Sequence, residues 1–133
     1  VSRSVYLQRA DGSVLPVRAR RCDTFLCRLR GLMLRRRLAP AEGLLFVEAG
    51  ESRMGASIHM LFVFFPIAVI WLQEDGMVVD KVLARPFRPF YAPQAPARYY
   101  LEADPALLDV VEVGERLTLT DAGALDPADF DNR

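Results

Sequence analysis

Apolar and polar positions alternate along this chain in short runs separated by turn residues, a pattern that predicts strands more than helices. Val5 to Gln8 and Val14 to Val17 flank Asp11-Gly12, a strong hairpin signal because the turn between two strands needs positive φ. Gly43 to Val47 reads as a short buried strand. Ile67 to Leu72 is apolar on both faces, which predicts a central strand covered on two sides. Glu74-Asp75-Gly76 then turns the chain into Met77 to Leu83, a second hairpin. In Arg98 to Glu102, Tyr99 and Leu101 face one way while Arg98, Tyr100 and Glu102 face the other. Gly114 precedes a last strand, Arg116 to Thr120.

The period changes in two places. Phe25, Leu26, Leu29, Leu32 and Met33 recur at helical spacing behind Asp23 and Thr24, which can cap the first turn. This helix ends among arginines, where cations suit the negative end of its dipole. Gly31 either permits a close backbone approach or begins the helix end. Asp104-Pro105 caps a second, short helix running to Val110 or Val111. These elements predict an α+β domain, mostly β: a compact antiparallel, barrel-like sheet with one or two short helices. The domain spans residues 1–120, and 121–133 form an acidic tail.

With 133 residues, 52% hydrophobic and 26% charged, the chain is long enough for one cored domain and is not compositionally disordered. Its longest apolar run, Leu61 to Leu72, is interrupted by Pro66 and falls short of the ~18 residues of a membrane helix. Val1 in place of an initiating methionine marks a trimmed N-terminus, from which a signal peptide could have been lost. Cys22 and Cys27, if both helical, lie roughly 7.5 Å apart by rise alone. That exceeds the ~7 Å limit for a disulfide and predicts free thiols, favouring a cytoplasmic home. Net charge is zero, yet arginines crowd Arg18 to Arg37 and acids crowd Glu102 to Asp131. No aromatics interleave with these arginines, so they read as a solvated face and not as a nucleic-acid site.

The order of features resembles a known family. Arg30-Gly31-Leu32-Met33, then Leu38, then Gly43-Leu44-Leu45-Phe46 is similar to the opening signature of domain of unknown function 192. Ser57-Ile58-His59-Met60, Phe65-Pro66-Ile67, Asp75-Gly76-Met77-Val78-Val79 and Ala97-Arg98-Tyr99-Tyr100-Leu101-Glu102 continue it. Val113-Gly114-Glu115-Arg116-Leu117 closes a resemblance that covers roughly Val14 to Leu119. It implies a compact domain of antiparallel strands with few helices, found in bacteria and archaea, with some members exported. It brings no accepted reaction and no established catalytic residues. This chain is a histidine-containing variant. Where many members read tryptophan-methionine-lysine-asparagine-threonine, it has His59-Met60-Leu61-Phe62-Val63, and Ala68 stands where they place an aspartate. Both changes remove polar groups.

His59, the sole histidine, lacks the companions a zinc site needs, and no cofactor is expected. Ser57 and His59 would share a strand face roughly 6.6 Å apart, too far for a direct nucleophile–base bond. Arg98, Tyr100 and Glu102 either line a polar groove for a carboxylate or phosphate, with Arg98 as the fork, or form the solvent side of a half-buried strand; the latter is favoured. The proline-rich segment Arg85 to Ala97 carries Phe87, Phe90 and Tyr91, and Pro86-Phe87-Arg88-Pro89 has the P-x-x-P form.

Two functional readings follow. In the first, the protein is a non-enzymatic binding or assembly module for a protein partner or a second copy of itself. Its surface would be Leu61, Phe62, Phe64, Phe87, Phe90 and Tyr91, with Leu61 to Phe65 extended and alternating between faces. In the second, a pocket around Arg53, His59 and Glu102, with Arg98 and Tyr100 beside it, serves a ligand-binding protein or small enzyme for an anionic small molecule.

Overall fold

The strand pairing of the protein, obtained as a computed structural model that describes residues 4–121, follows from which segments the chain can lay side by side. The side chains of Phe25, Leu26 and Leu29 lie outside the described part, as does 122–133, the bulk of the expected acidic tail. In chain order the elements are β1 (Ser4–Gln8), β2 (Arg18–Cys22), α1 (Phe25–Arg30), β3 (Glu42–Ser52), β4 (Ile67–Leu72), β5 (Val78–Ala84), β6 (Ala97–Ala103), a 3-10 helix (Pro105–Asp109) and β7 (Thr118–Asp121). They form one sheet in the order β5-β4-β6-β3-β2-β1-β7.

The sheet is mixed, not antiparallel throughout. β2 and β3 run parallel, from Arg18↔Glu42 to Cys22↔Phe46. A parallel pair needs a crossover, and α1 with the segment after it supplies one. The expected barrel does not close either. β5 and β7 remain the two ends of the ladder, although Met77 bridges Arg116 and Leu117 N–H donates to the Gly76 carbonyl, drawing those ends together.

The Asp11-Gly12 turn forms, with Gly12 at φ 91° and a bridge from Gln8 to Val14. On one side β1 pairs with β7, from Val5↔Asp121 to Gln8↔Thr118. On the other it is nevertheless flanked by β2, through Ser4↔Arg20 and Val5↔Ala19, in the arginine-rich stretch where the buried positions are Ala19 and Cys22. Hydrophobic alternation is muted there, so charge hides the strand. The second hairpin, β4 against β5, is as expected, and all six β4 residues are buried.

α1 is shorter than its apolar periodicity. Thr24 caps it by accepting from Cys27 N–H at 3.2 Å, and Gly31, at φ 49°, ends it. Leu32 is buried but sits in the turn beyond the helix. Because Cys22 closes β2 while Cys27 lies inside α1, helical rise does not set their separation. Their Cα atoms are 5.5 Å apart and the sulfurs are joined in a disulfide, correcting the expectation of free thiols. With it goes the ground for a cytoplasmic placement.

A buried cluster packs on each face of the sheet. Leu45, Leu101, Ile70 and Leu72 point to one face with Leu7 and Leu117. Leu44, Phe46, Val69, Trp71 and Tyr100 point to the other, covered by Leu32, Ile58, Met60 and Val63. Trp71 pins that cover by donating to the Ala56 carbonyl at 2.7 Å. Leu32, Leu45, Ile70 and Leu72 are thus core as expected; Leu29 is among the side chains not described. No helix of the described residues is long and apolar enough to cross a membrane.

Candidate functional site

Register sets the site. Antiparallel pairing places Phe46 opposite Tyr100 and Leu44 opposite Glu102, while β4 brings Trp71 beside Tyr100 and Val69 beside Glu102. Successive strand residues alternate faces, so Tyr100 and Glu102 project into the second core. The Phe46 and Tyr100 rings stack there at 4.7 Å. The face of Tyr100 and Glu102 is therefore not the solvent side of a half-buried strand, because α1 and the segment around Ile58 lie over it.

Glu102 is 6% exposed, and no described residue donates a hydrogen bond to its carboxyl group. Burial raises its pKa from the ordinary 4.5 to about 8, since the charged form would lose its hydration without gaining a partner. At neutral pH it is a protonated acid, able to donate one hydrogen bond and accept others. The Tyr100 phenol is raised too, first by burial and then by the nearby carboxyl groups of Glu48 and Glu102.

Over Glu102 lies a cavity of about 60 Å³, lined in part by Arg28, Arg30, Gly31, Ser57, His59 and Tyr100. Gly31 forms part of its wall. A side chain begun there would stand 3.5 Å from the Phe46 ring and 3.8 Å from Glu102 Oε1. Arg28 donates from Nη1 to the Val47 carbonyl at 2.9 Å, which ties α1 to β3, whereas Arg30 has no ion pair with a described residue. Beside the cavity and sharing Arg30 and Gly31 is a broader depression of about 440 Å³, lined also by Arg20, Cys27, Arg35 and Glu42. Arg35 is engaged there with both oxygens of Glu42, at 2.8 and 3.0 Å.

Of the residues expected to form a polar site, the structure brings His59, Tyr100 and Glu102 together. Arg53 and Arg98 do not line this cavity. Arg53 donates to the Pro93 carbonyl, and Arg98 pairs with Glu74 at 2.7 Å while also donating to the Glu48 carbonyl. Ser57 does line the cavity, but its Oγ donates to the Met54 carbonyl at 2.6 Å. His59 Nδ1 accepts from Leu61 N–H, which assigns the neutral imidazole proton to Nε2. Arg28, Arg30 and Gly31 were not expected at the site; Arg30-Gly31 carried a signal only as a short motif.

The aromatic segments form a different surface. Leu61 to Phe65 is a turn, not a strand, with Phe62 at φ 59°. Val63 enters the core while Leu61, Phe62 and Phe64 stay outside. Phe87 packs on Phe62 and Phe64 with ring centroids 6.1 and 5.7 Å apart, yet each of these three rings remains 50% exposed. Phe90 is exposed, while Tyr91 is half-buried, pairs with Ile58 and accepts from Arg85 N–H through its hydroxyl. Phe87 at φ 62° breaks the extended geometry that P-x-x-P recognition requires, which removes that reading of Pro86 to Pro89.

Residues 6–119 match the profile of domain of unknown function 192, described as "Uncharacterized ACR". The chain belongs to that family. A UPF0127 protein of Pyrococcus furiosus is 39% identical over 84% of this chain and 94% of its own length. One from Thermococcus sibiricus is 38% identical over 84% and 71%. Function in the domain of unknown function 192 family is unassigned. Among solved structures, a candidate transcription regulator of Sinorhizobium meliloti 1021 aligns with TM-score 0.76 at 23% identity, covering 92% of this chain and 95% of that one. A Novosphingobium aromaticivorans protein of unknown function aligns with TM-score 0.75 at 21% identity, covering 88% and 84%. At such identities these two likenesses speak for the fold alone.

Proposed function

We propose that the protein is a non-enzymatic ligand-binding module whose cavity over Glu102 receives the small polar end of an anionic molecule. The observation that carries this reading is a carboxyl group that is 6% exposed, borders the cavity and accepts no hydrogen bond from a described residue. Structural carboxyls in such positions are normally paired. A protonated Glu102 donates its hydrogen to an oxygen of the ligand, and Arg30 at the shared rim supplies the opposing charge. The cavity holds about two waters' worth of space at ~30 Å³ each, so a carboxylate-sized group enters it. The body of the molecule lies across the depression lined by Arg20 and Arg30. Binding is favoured over turnover because Ser57 and His59 are each engaged by neighbouring backbone groups, not by one another.

The test is a titration with acetate, malonate and inorganic phosphate, followed by thermal shift and by amide chemical shifts. Saturable stabilisation by a carboxylate, weakened in Glu102→Ala and in Arg30→Ala, is the expected result. No saturable response to any of the three, or an unchanged response in both variants, would overturn the proposal. A second reading, in which the protein is an assembly module, is favoured by the exposed cluster of Phe62, Phe64 and Phe87.

A further inference from the structure

Three segments crowd one region of the surface: the turn 31–38 after α1, the loop 53–66 and the loop 85–96. Backbone hydrogen bonds knit them together. Leu34 N–H donates to the Phe62 carbonyl, Met60 N–H to that of Arg88, and Phe87 N–H to that of Met60. Among the described residues, every exposed large hydrophobic side chain except Val113 lies in these segments: Leu34, Met54, Leu61, Phe62, Phe64, Phe87 and Phe90.

Backbone conformation marks the same place. The described non-glycine residues with positive φ are Leu34, Phe62 and Phe87, at 65°, 59° and 62°. Bulky residues avoid the left-handed region, where asparagine and glycine are easily accommodated. Here three such positions hold large apolar side chains and turn them outward. At all three the side chain is at least 50% exposed, so burial does not offset the cost of the left-handed backbone.

Charge supplies the third observation. Residues 30–41, 53–66 and 85–96 contain no aspartate or glutamate but carry Arg30, Arg35, Arg36, Arg37, Arg53, Arg85 and Arg88. Arg36, Arg37, Arg85 and Arg88 have no ion pair with a described residue. The bordering acids are partly committed: Glu42 holds Arg35, Asp80 accepts from Gln94 N–H, and Asp104 accepts from Ala106 N–H. Apolar rings fringed by unpaired arginines complement a surface with an apolar interior and an anionic skin.

We propose that this face docks on an anionic lipid surface, with Phe62, Phe64 and Phe87 entering the acyl boundary and Arg85, Arg88, Arg36 and Arg37 meeting the phosphates. This rests on the assembly-module reading of the loops and is independent of the Glu102 cavity. A lipid surface suits what is seen better than a folded partner does. The rings pack on one another and project outward, a shape that any fluid interface accepts, whereas a protein partner would need pockets fitted to each.

The experiment is flotation of the purified protein with vesicles of phosphatidylcholine alone and of phosphatidylcholine mixed with phosphatidylglycerol. Binding should favour the anionic vesicles by at least about tenfold and weaken as salt is raised. Phe62→Asn and Phe87→Asn relieve the left-handed positions, so they should keep or raise the melting temperature while abolishing flotation. Phe64→Ser and the double variant Arg85→Glu/Arg88→Glu provide the apolar and charge controls, and each should lose binding while staying folded. Absence of flotation with either vesicle overturns the proposal. If the asparagine variants instead abolish self-association seen in sedimentation, the module reading stands and the lipid assignment falls. Salt-sensitive binding to single-stranded RNA without vesicle binding would likewise overturn it in favour of nucleic acid.

Discussion

Glu102 concentrates the residue-scale physics of this protein. Its folded pKa of about 8 lies above the 4.5 of an unburied carboxyl, so between those values the folded state holds a proton that the unfolded chain has released. The stability contributed by this group is therefore full below pH 4.5 and is lost as pH rises, until the folded acid ionises near pH 8. Glu102→Gln keeps the shape without the titration. Urea unfolding should show that variant more stable than the parent on the alkaline side of pH 8, with a flatter pH dependence throughout; parallel pH curves would show that the carboxyl is not the group responsible. Sequence alternation correctly put Glu102 on one strand face with Tyr100 and Arg98. It could not say that the face is covered, because cover comes from two segments roughly 40 and 70 residues earlier in the chain. A charged residue in an alternating strand is read as solvated by default, and here tertiary packing overrides that.

At the scale of elements, the junctions carry the information. The disulfide between Cys22 and Cys27 clamps the end of β2 to α1. Closing so short a loop contributes ~2 kcal/mol by chain entropy, so Cys22→Ser should lower unfolding stability by about that much. Alkylation of the unreduced, denatured protein followed by mass spectrometry should find no free thiol; two adducts would refute the bridge. Gly76, at φ 90°, sits where the β4–β5 hairpin meets the segment leading into β7. A Cβ there would collide with the Leu117 carbonyl oxygen. Gly76→Ala should cost at least ~2 kcal/mol in chemical denaturation, far above the effect of an exposed glycine such as Gly50. The Asp75-Gly76 turn was legible because turn chemistry is local. The disulfide was not, because the separation was measured as if both cysteines were helical, whereas Cys22 precedes the cap at Thr24 and closes a strand hidden among arginines.

For the whole molecule, two buried clusters on opposite faces of one sheet separate core from surface. Leu45→Ala and Ile70→Ala empty fully buried sites in the first cluster and should each cost ~2–5 kcal/mol. Phe64→Ser, at a half-exposed ring, should stay within about 0.5 kcal/mol by the same denaturation measurement. Equal losses at all three positions would mean that the aromatic loops are ordinary core. Continuous apolar strands such as β4 announce double-sided burial in the sequence. The mixed sheet does not announce itself, since the direction in which β3 joins β2 depends on how the α1 crossover returns.

The sequence by itself determined the strands with clear apolar patterning, the turns with glycine at positive φ, the cap of α1 and the membership in its family. These rest on interactions between residues near one another in the chain, or on motifs read in order. Only the tertiary structure decided which strand lies beside which, that β2 is a strand beneath its arginines, and that Glu102 faces a cavity instead of water. It also decided that Phe62 and Phe87 point outward. The reason is physical: a residue's environment is set by whatever packs over it, and in this sheet the covering segments come from distant parts of the chain.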